Sequence, residues 1–148
     1  MNSIRHFVQL TDLIGCAGQP TETQFALIAE NGYQHVINLA MPNHADALTN
    51  EAELVTSLNM NYLHLPVAFD APKPEQVRYF CHFMSALAED KVFVHCIMNY
   101  RSSAFLYHYL TKMADYDEES AISPILRKWK PDPAWQKVLM WTREDIGL

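Results

Sequence analysis

The sequence predicts an α/β fold: a single domain with a mostly parallel central sheet flanked by helices on both faces. Two observations carry this. Short β-type runs alternate with helical stretches along the chain, and parallel strands need such crossovers between them. A length of 148 residues, 49% of them hydrophobic and 19% charged, suits one core, so 1–148 is expected to fold as one unit.

The elements follow in order. Phe7 to Leu10 and Leu13 to Cys16 read as short strands near a sheet edge. Gly18-Gln19-Pro20-Thr21 is a turn into a helix, with Thr21 as cap and Gln24 reaching back, and Asn31-Gly32 ends that helix. His35 to Leu39 is a buried strand, 41–50 a loop, and Asn50 to Leu58 a helix. Tyr62 to Leu65 is the next strand. Pro74 to Ala88 is a helix with proline in its first turn and an apolar stripe of Val77, Phe80, Cys81, Met84 and Leu87. Lys91 to His95 has the strongest continuous β character, and Ser102 to Met113 is helical. Two C-terminal helices are expected. One spans Asp117 to Trp129 with Pro124 as a weak point; the other starts at Asp132-Pro133, and Trp129, Trp135 and Trp141 read as packing anchors.

A net charge of −6 gives no general attraction for nucleic acid or anionic membrane, and neither is expected as a partner. Arg127, Lys128 and Lys130 form the one short basic cluster, read as a solvated helix end. Three widely spaced cysteines, Cys16, Cys81 and Cys96, build neither a disulfide framework nor a zinc site. The histidines share no ligand spacing. A cytoplasmic protein without metal or cofactor is the expectation. Cys81 reads as a core residue and Cys16 as a buried strand cysteine.

The chemistry concentrates in the loop 95–102. A buried strand runs into Cys96-Ile97-Met98-Asn99-Tyr100-Arg101, and the loop runs into a helix. In open α/β sheets, ligands bind at the carboxyl ends of the strands. Successive backbone N–H groups feeding a helix start form a concave anion site, strengthened by the helix dipole. Arg101 adds a planar fork that can hold two oxygens of a phosphate. Cys96 lies at the base of that positive field, which favours the nucleophilic thiolate. Ser102 is expected to hydrogen-bond the sulfur, His95 to hold the loop, and Ile97, Met98, Asn99, Tyr100 and Arg101 to contact substrate.

His95-Cys96 followed by Arg101-Ser102 resembles the His-Cys-(five residues)-Arg-Ser active-site loop of protein tyrosine and dual-specificity phosphatases. Gly18-Gln19-Pro20-Thr21, with Gly32-Tyr33 and Val36-Ile37-Asn38-Leu39, extends the likeness to the small bacterial dual-specificity-like phosphatases, a domain also found fused to β-lactamase-like hydrolases. It covers roughly residues 4–113. The resemblance implies hydrolysis of phosphate monoesters through a cysteinyl phosphate on Cys96, with phosphate, vanadate or sulfate as active-site anions. It also implies an aspartic acid on an earlier loop that protonates the leaving oxygen. Asp70, 26 residues before Cys96, is the one carboxylate between Glu53 and Glu75. Many relatives carry glycine where this chain has Asn99; asparagine enters the left-handed region more readily than most residues, so the loop is expected to close.

The neutral loop residues favour a phosphotyrosine protein or a small aryl phosphate over a phosphoinositide, unless Lys73, Arg78 or Arg127 folds over the pocket. Two other readings remain: a rhodanese-type sulfurtransferase, which also uses a cysteine in an anion loop, and a phosphate-binding pseudophosphatase. Arsenate reductases and low-molecular-weight phosphatases place their loop near the N-terminus, which position 96 does not match.

Overall fold

The computed structural model describes all residues, 1–148. Its centre is a five-stranded sheet made of β1 (Val8–Gln9), β2 (Ile14–Ala17), β3 (His35–Asn38), β4 (Asn61–His64) and β5 (Val92–His95). The spatial order is β1-β2-β5-β3-β4. β2, β5, β3 and β4 are parallel, while β1 closes one edge antiparallel to β2. This is the expected architecture. The run with the strongest β character, β5, lies in the middle of the sheet and is buried along its whole length.

The strands divide their side chains between two apolar layers with the two-residue period of a strand. Ala17, Val36 and Phe93 face a layer with Phe25 and Ile28 of α1 (Glu22–Glu30) and Val55 of α2 (Glu51–Ser57). Cys16, Ile37, Val92 and Val94 face the other. There they meet Val77 and Phe80 of α3 (Pro74–Ala86) and Phe105 of α4 (Tyr100–Met113). The Thr21–Gln24 capping box forms as expected, and Gly32 leaves α1 at φ +85.

The C-terminal part differs from expectation. In place of one helix from Asp117 to Trp129 there are two, α5 (Glu118–Ala121) and α6 (Pro124–Lys128). Pro124 has no N–H to continue α5, and the Ser123 hydroxyl caps the next helix by accepting from Leu126 N. After α7 (Pro133–Met140) a short α8 (Arg143–Ile146) follows, set off by a second Thr capping box at Thr142. Ile146 of α8 and Trp135 of α7 join the core beside α3 and α4.

Because four neighbouring strands run parallel, their following loops gather at one edge of the sheet. Gly18 to Pro20, the loop 39–50, the loop 65–73 and Cys96 to Asn99 meet there, although Gly18 and Asn99 lie 81 positions apart in the chain.

Candidate active site

The loop after β5 holds four residues between Cys96 and Arg101, one fewer than the five-residue pattern it resembles. It nonetheless closes into a cradle. No hydrogen bond within the chain engages the amide N–H groups from Ile97 to Ser102; the first helical bond is Ser103 N to Asn99 O at 3.1 Å. These donors surround the start of α4, where the helix dipole is positive. Asn99 makes the turn possible: it lies in the left-handed region at φ 71, as expected for an asparagine in a glycine's place.

The Asn99 side chain does more than tolerate this geometry. Its Nδ2 donates to His6 O at 2.8 Å and lies 3.5 Å from Cys16 Sγ, while its Oδ1 accepts from Ser103 Oγ at 3.1 Å. Ser103 Oγ in turn pairs with Ser123 Oγ at 2.7 Å. One buried chain of bonds thus ties the loop to the N-terminal segment, to β2 and to the cap of α6.

Cys96 is almost wholly buried at the base of the cradle. His95 beneath it is held at both ring nitrogens. Nδ1 lies 3.0 Å from Cys96 O, which can only accept, and Nε2 lies 2.7 Å from Glu51 Oε2. Glu51 also accepts from Gln19 Nε2 at 2.7 Å and from the Tyr62 hydroxyl at 2.9 Å. Burial pushes the Glu51 carboxyl up, but the His95 charge and the bonds from His95, Gln19 and Tyr62 outweigh it and hold the carboxyl below its ordinary range. Sequence reading missed Glu51, whose only signal was an acidic residue in the first turn of a helix. Gln19 serves this network and the turn: its N–H donates to Ile97 O at 3.0 Å. Gly18 is required here, because a Cβ would come within 2.3 Å of Ile97 O.

Arg101 donates to Val67 O at 2.8 Å, and its guanidinium lies 5.6 Å from the centre of the Phe69 ring. Phe69 is fixed in turn by Trp135, which stacks on it at 5.4 Å and donates Nε1–H to its carbonyl at 2.6 Å. A cavity of about 340 Å³ opens over the cradle, lined by His44, Phe69, Cys96, Ile97, Met98, Tyr100 and Arg101. A larger cavity of about 470 Å³ lies at the opposite end of the strands beside Leu13, Met84 and Tyr109, and no lysine, arginine or histidine lines it. Size alone does not mark the site.

Two expected residues stand apart from this constellation. The Ser102 hydroxyl is buried and hydrogen-bonds nothing, so the bond to the Cys96 sulfur is absent, and Ser103 is the serine that braces the loop. Asp70 is exposed in the turn after Phe69 and does not line the cavity. His44, unnoticed in the sequence, does; its Nδ1 accepts from Asp46 N at 3.0 Å. Two of the basic residues that could have folded over the pocket, Arg78 and Arg127, go elsewhere. Arg78 lies against Gly147 and Arg127 bonds Glu119, whereas Arg5 reaches the rim, 3.3 Å from Asp46 and 3.8 Å from Met98 Sδ. Burial pushes the thiols of Cys16 and Cys81 up to about 12, so neither competes as a nucleophile. No group of three or more His, Cys, Asp or Glu side chains could hold a metal ion, and no helix is long and apolar enough to cross a membrane.

The family described as "DSP-PTPase phosphatase fused to NAD+ Kinase" matches residues 12–131. The chain belongs to this family. It is a phosphatase of the dual-specificity and tyrosine phosphatase superfamily. A crystal structure of a DUF442 protein from Shewanella putrefaciens CN-32, named as a candidate phosphatase, is similar at 34% identity and TM-score 0.85, covering 93% of this chain and 91% of that one. PTPMT1 in complex with PI(5)P is similar in fold at 16% identity and TM-score 0.76, covering 95% and 96%. A cysteine-to-serine variant of TpbA from P. aeruginosa, in complex with pTyr, is similar at 17% identity and TM-score 0.65, covering 82% and 71%. No curated protein matches the chain.

Proposed function

We propose that this phosphatase hydrolyses phosphate monoesters, aryl phosphates and phosphotyrosine above all, through a cysteinyl phosphate on Cys96. The observation that carries the reading is the cradle itself: free amide donors from Ile97 to Ser102, with Arg101 beside them, arranged around one buried cysteine. The Cys96 thiolate attacks phosphorus, the bond from phosphorus to the ester oxygen breaks, and the leaving oxygen takes a proton from Asp70. That role rests on its place 26 residues before Cys96, since the turn carrying it stands outside the cavity lining. Water then attacks the cysteinyl phosphate, Asp70 recovers a proton from it, and inorganic phosphate and the thiolate are released. Splitting the reaction in this way replaces one difficult step by two easier ones. The amides and Arg101 stabilise the equatorial oxygens throughout. Ser102 is assigned to the sulfur as it leaves in the second step, although its hydroxyl makes no hydrogen bond in the structure.

The cavity favours an aromatic leaving group. Phe69, Ile97, Met98 and Tyr100 supply its walls, and Arg101 and His44 are its only basic residues. A polyphosphorylated inositol would bring more negative charge than these two can pair. Relatives of this fold include one crystallised with pTyr and one with PI(5)P, so the fold alone leaves the choice open. Three free, buried cysteines fit a reducing compartment such as the cytoplasm.

Two experiments test the chemistry. Cys96→Ser should abolish hydrolysis of p-nitrophenyl phosphate while inorganic phosphate or vanadate still binds; a variant that keeps most of its activity overturns the mechanism. Asp70→Asn should slow phenyl phosphate, a poor leaving group, by about 10² or more relative to p-nitrophenyl phosphate. An equal fall for both, or no fall, removes Asp70 from the role and leaves the nucleophile assignment standing.

A further inference from the structure

A second cavity adjoins the phosphate cradle. It measures about 200 Å³ and is lined by His6, Tyr100, Ile125, Lys128 and Trp129. Tyr100 belongs to both cavities, so their contents would lie on adjoining sides of one ring. Resting on the phosphotyrosine reading above, we propose that this cavity is a substrate subsite for an acidic side chain next to the phosphorylated residue of a protein.

Its charge points that way. Lys128 is exposed and makes no ion pair or hydrogen bond within the chain, unlike its neighbour Arg127, which is bound to Glu119. No carboxylate lines the cavity to compete for it. His6 Nδ1–H donates to Met98 O at 2.9 Å, so Nε2 of the neutral ring is an acceptor and Lys128 alone supplies a charged donor for an acid here. One ammonium suits a single carboxylate; a polyphosphate would leave charge unpaired.

The walls are built for a side chain. Tyr100 and Trp129 stack at 4.8 Å with an interplanar angle of 2°, a flat surface whose position is set from both sides. Ile125 offers apolar contact to a methylene stem. Backbone strain also marks the place. His6 lies in the left-handed region at φ 52, and Asn99 of the cradle holds its carbonyl at 2.8 Å. A strained residue clamped by the catalytic loop is the kind of feature that gathers at functional sites. The same bond couples the subsite mechanically to the loop that holds phosphate.

The test uses the full chain and phosphotyrosine peptides that differ only in the residues flanking the phosphotyrosine, Glu, Ala or Lys. In low salt, kcat/KM should rank Glu over Ala over Lys, with about three- to fivefold per step, and the spread should shrink at high salt. In Lys128→Glu the ranking should invert. Ratios within one variant cancel any general loss of activity or folding. A wild-type protein indifferent to flanking charge, or a ranking unchanged in Lys128→Glu, overturns the subsite and leaves phosphotyrosine hydrolysis intact. Faster turnover of inositol polyphosphates than of every peptide overturns the substrate reading and the subsite with it.

Discussion

Asn99 shows how much one side chain decides in this loop. Glycine at this position would reach φ 71 freely, but it could not brace His6 O and Ser103 Oγ. Asparagine does both. Asn99→Gly should therefore cost about 1–3 kcal/mol through the lost buried hydrogen bonds. Asn99→Ala loses the same bonds and adds about 1–2 kcal/mol for a Cβ in the left-handed region. Urea unfolding at neutral pH should rank the wild type above the glycine variant and the glycine variant above alanine. An alanine variant as stable as the glycine one would show that the left-handed backbone is not what asparagine provides.

Among the elements, α7 has a part that its sequence did not announce. Trp135 is the fully buried packing anchor that its sequence suggests; it also reaches across to the loop after β4 and bonds Phe69 O. Phe69 lies beside Arg101, so the C-terminal helices support one wall of the cavity over the cradle. Trp135→Phe keeps an aromatic core residue but removes the N–H. It should lower stability by about 1 kcal/mol. It should also speed hydrogen exchange of amides in 67–71 and lower kcat/KM for aryl phosphates several-fold. Unchanged exchange and kinetics would mean that the loop is held without α7.

The whole molecule carries one acid-sensitive joint between α4 and α7. His108 is buried, its Nε2–H donates to Val138 O at 2.7 Å, and its Nδ1 has no partner. Burial first, and the Lys112 charge second, pull its pKa down to about 4, opposed only in part by the Val138 carbonyl. Unfolded histidine titrates near 6.5, so between those values the unfolded chain binds a proton that the folded one refuses. Stability from this group is complete above about 6.5, falls as pH drops, and is gone below about 4, a loss on the order of 3 kcal/mol. Glu51, whose carboxyl is held low, adds a further loss in more acidic solution, as pH falls below the ordinary carboxylate range. Urea midpoints at pH 7, 5.5 and 4.5 should fall steadily in the wild type. His108→Gln can keep a donor for Val138 O and should flatten the slope; an equal slope in both proteins would exonerate this histidine.

Local chemistry made much of this legible in the sequence. The capping box at Thr21, the continuous β5 run and the order of Cys96, Asn99 and Arg101 are short-range facts, each with a physical reading that needs no partner. From them the α/β architecture, the strand-loop-helix at Cys96 and the left-handed Asn99 could be read in advance. What escaped was whatever depends on a contact between distant segments. Glu51 looks like any acid in a first helical turn until α2 brings it under His95. His44, Arg5 and Lys128 look solvated until the loop after β3, the N-terminal segment and the end of α6 come together beside the cradle. Proline at 124 signalled a weak point, and Ser123 before it is a local cap; what the sequence did not show is the buried Ser103 that its hydroxyl also meets. Side-chain type and spacing specify local geometry, whereas the surroundings that give a charge or a hydrogen bond its function exist only once parallel strands have carried remote loops to the same edge.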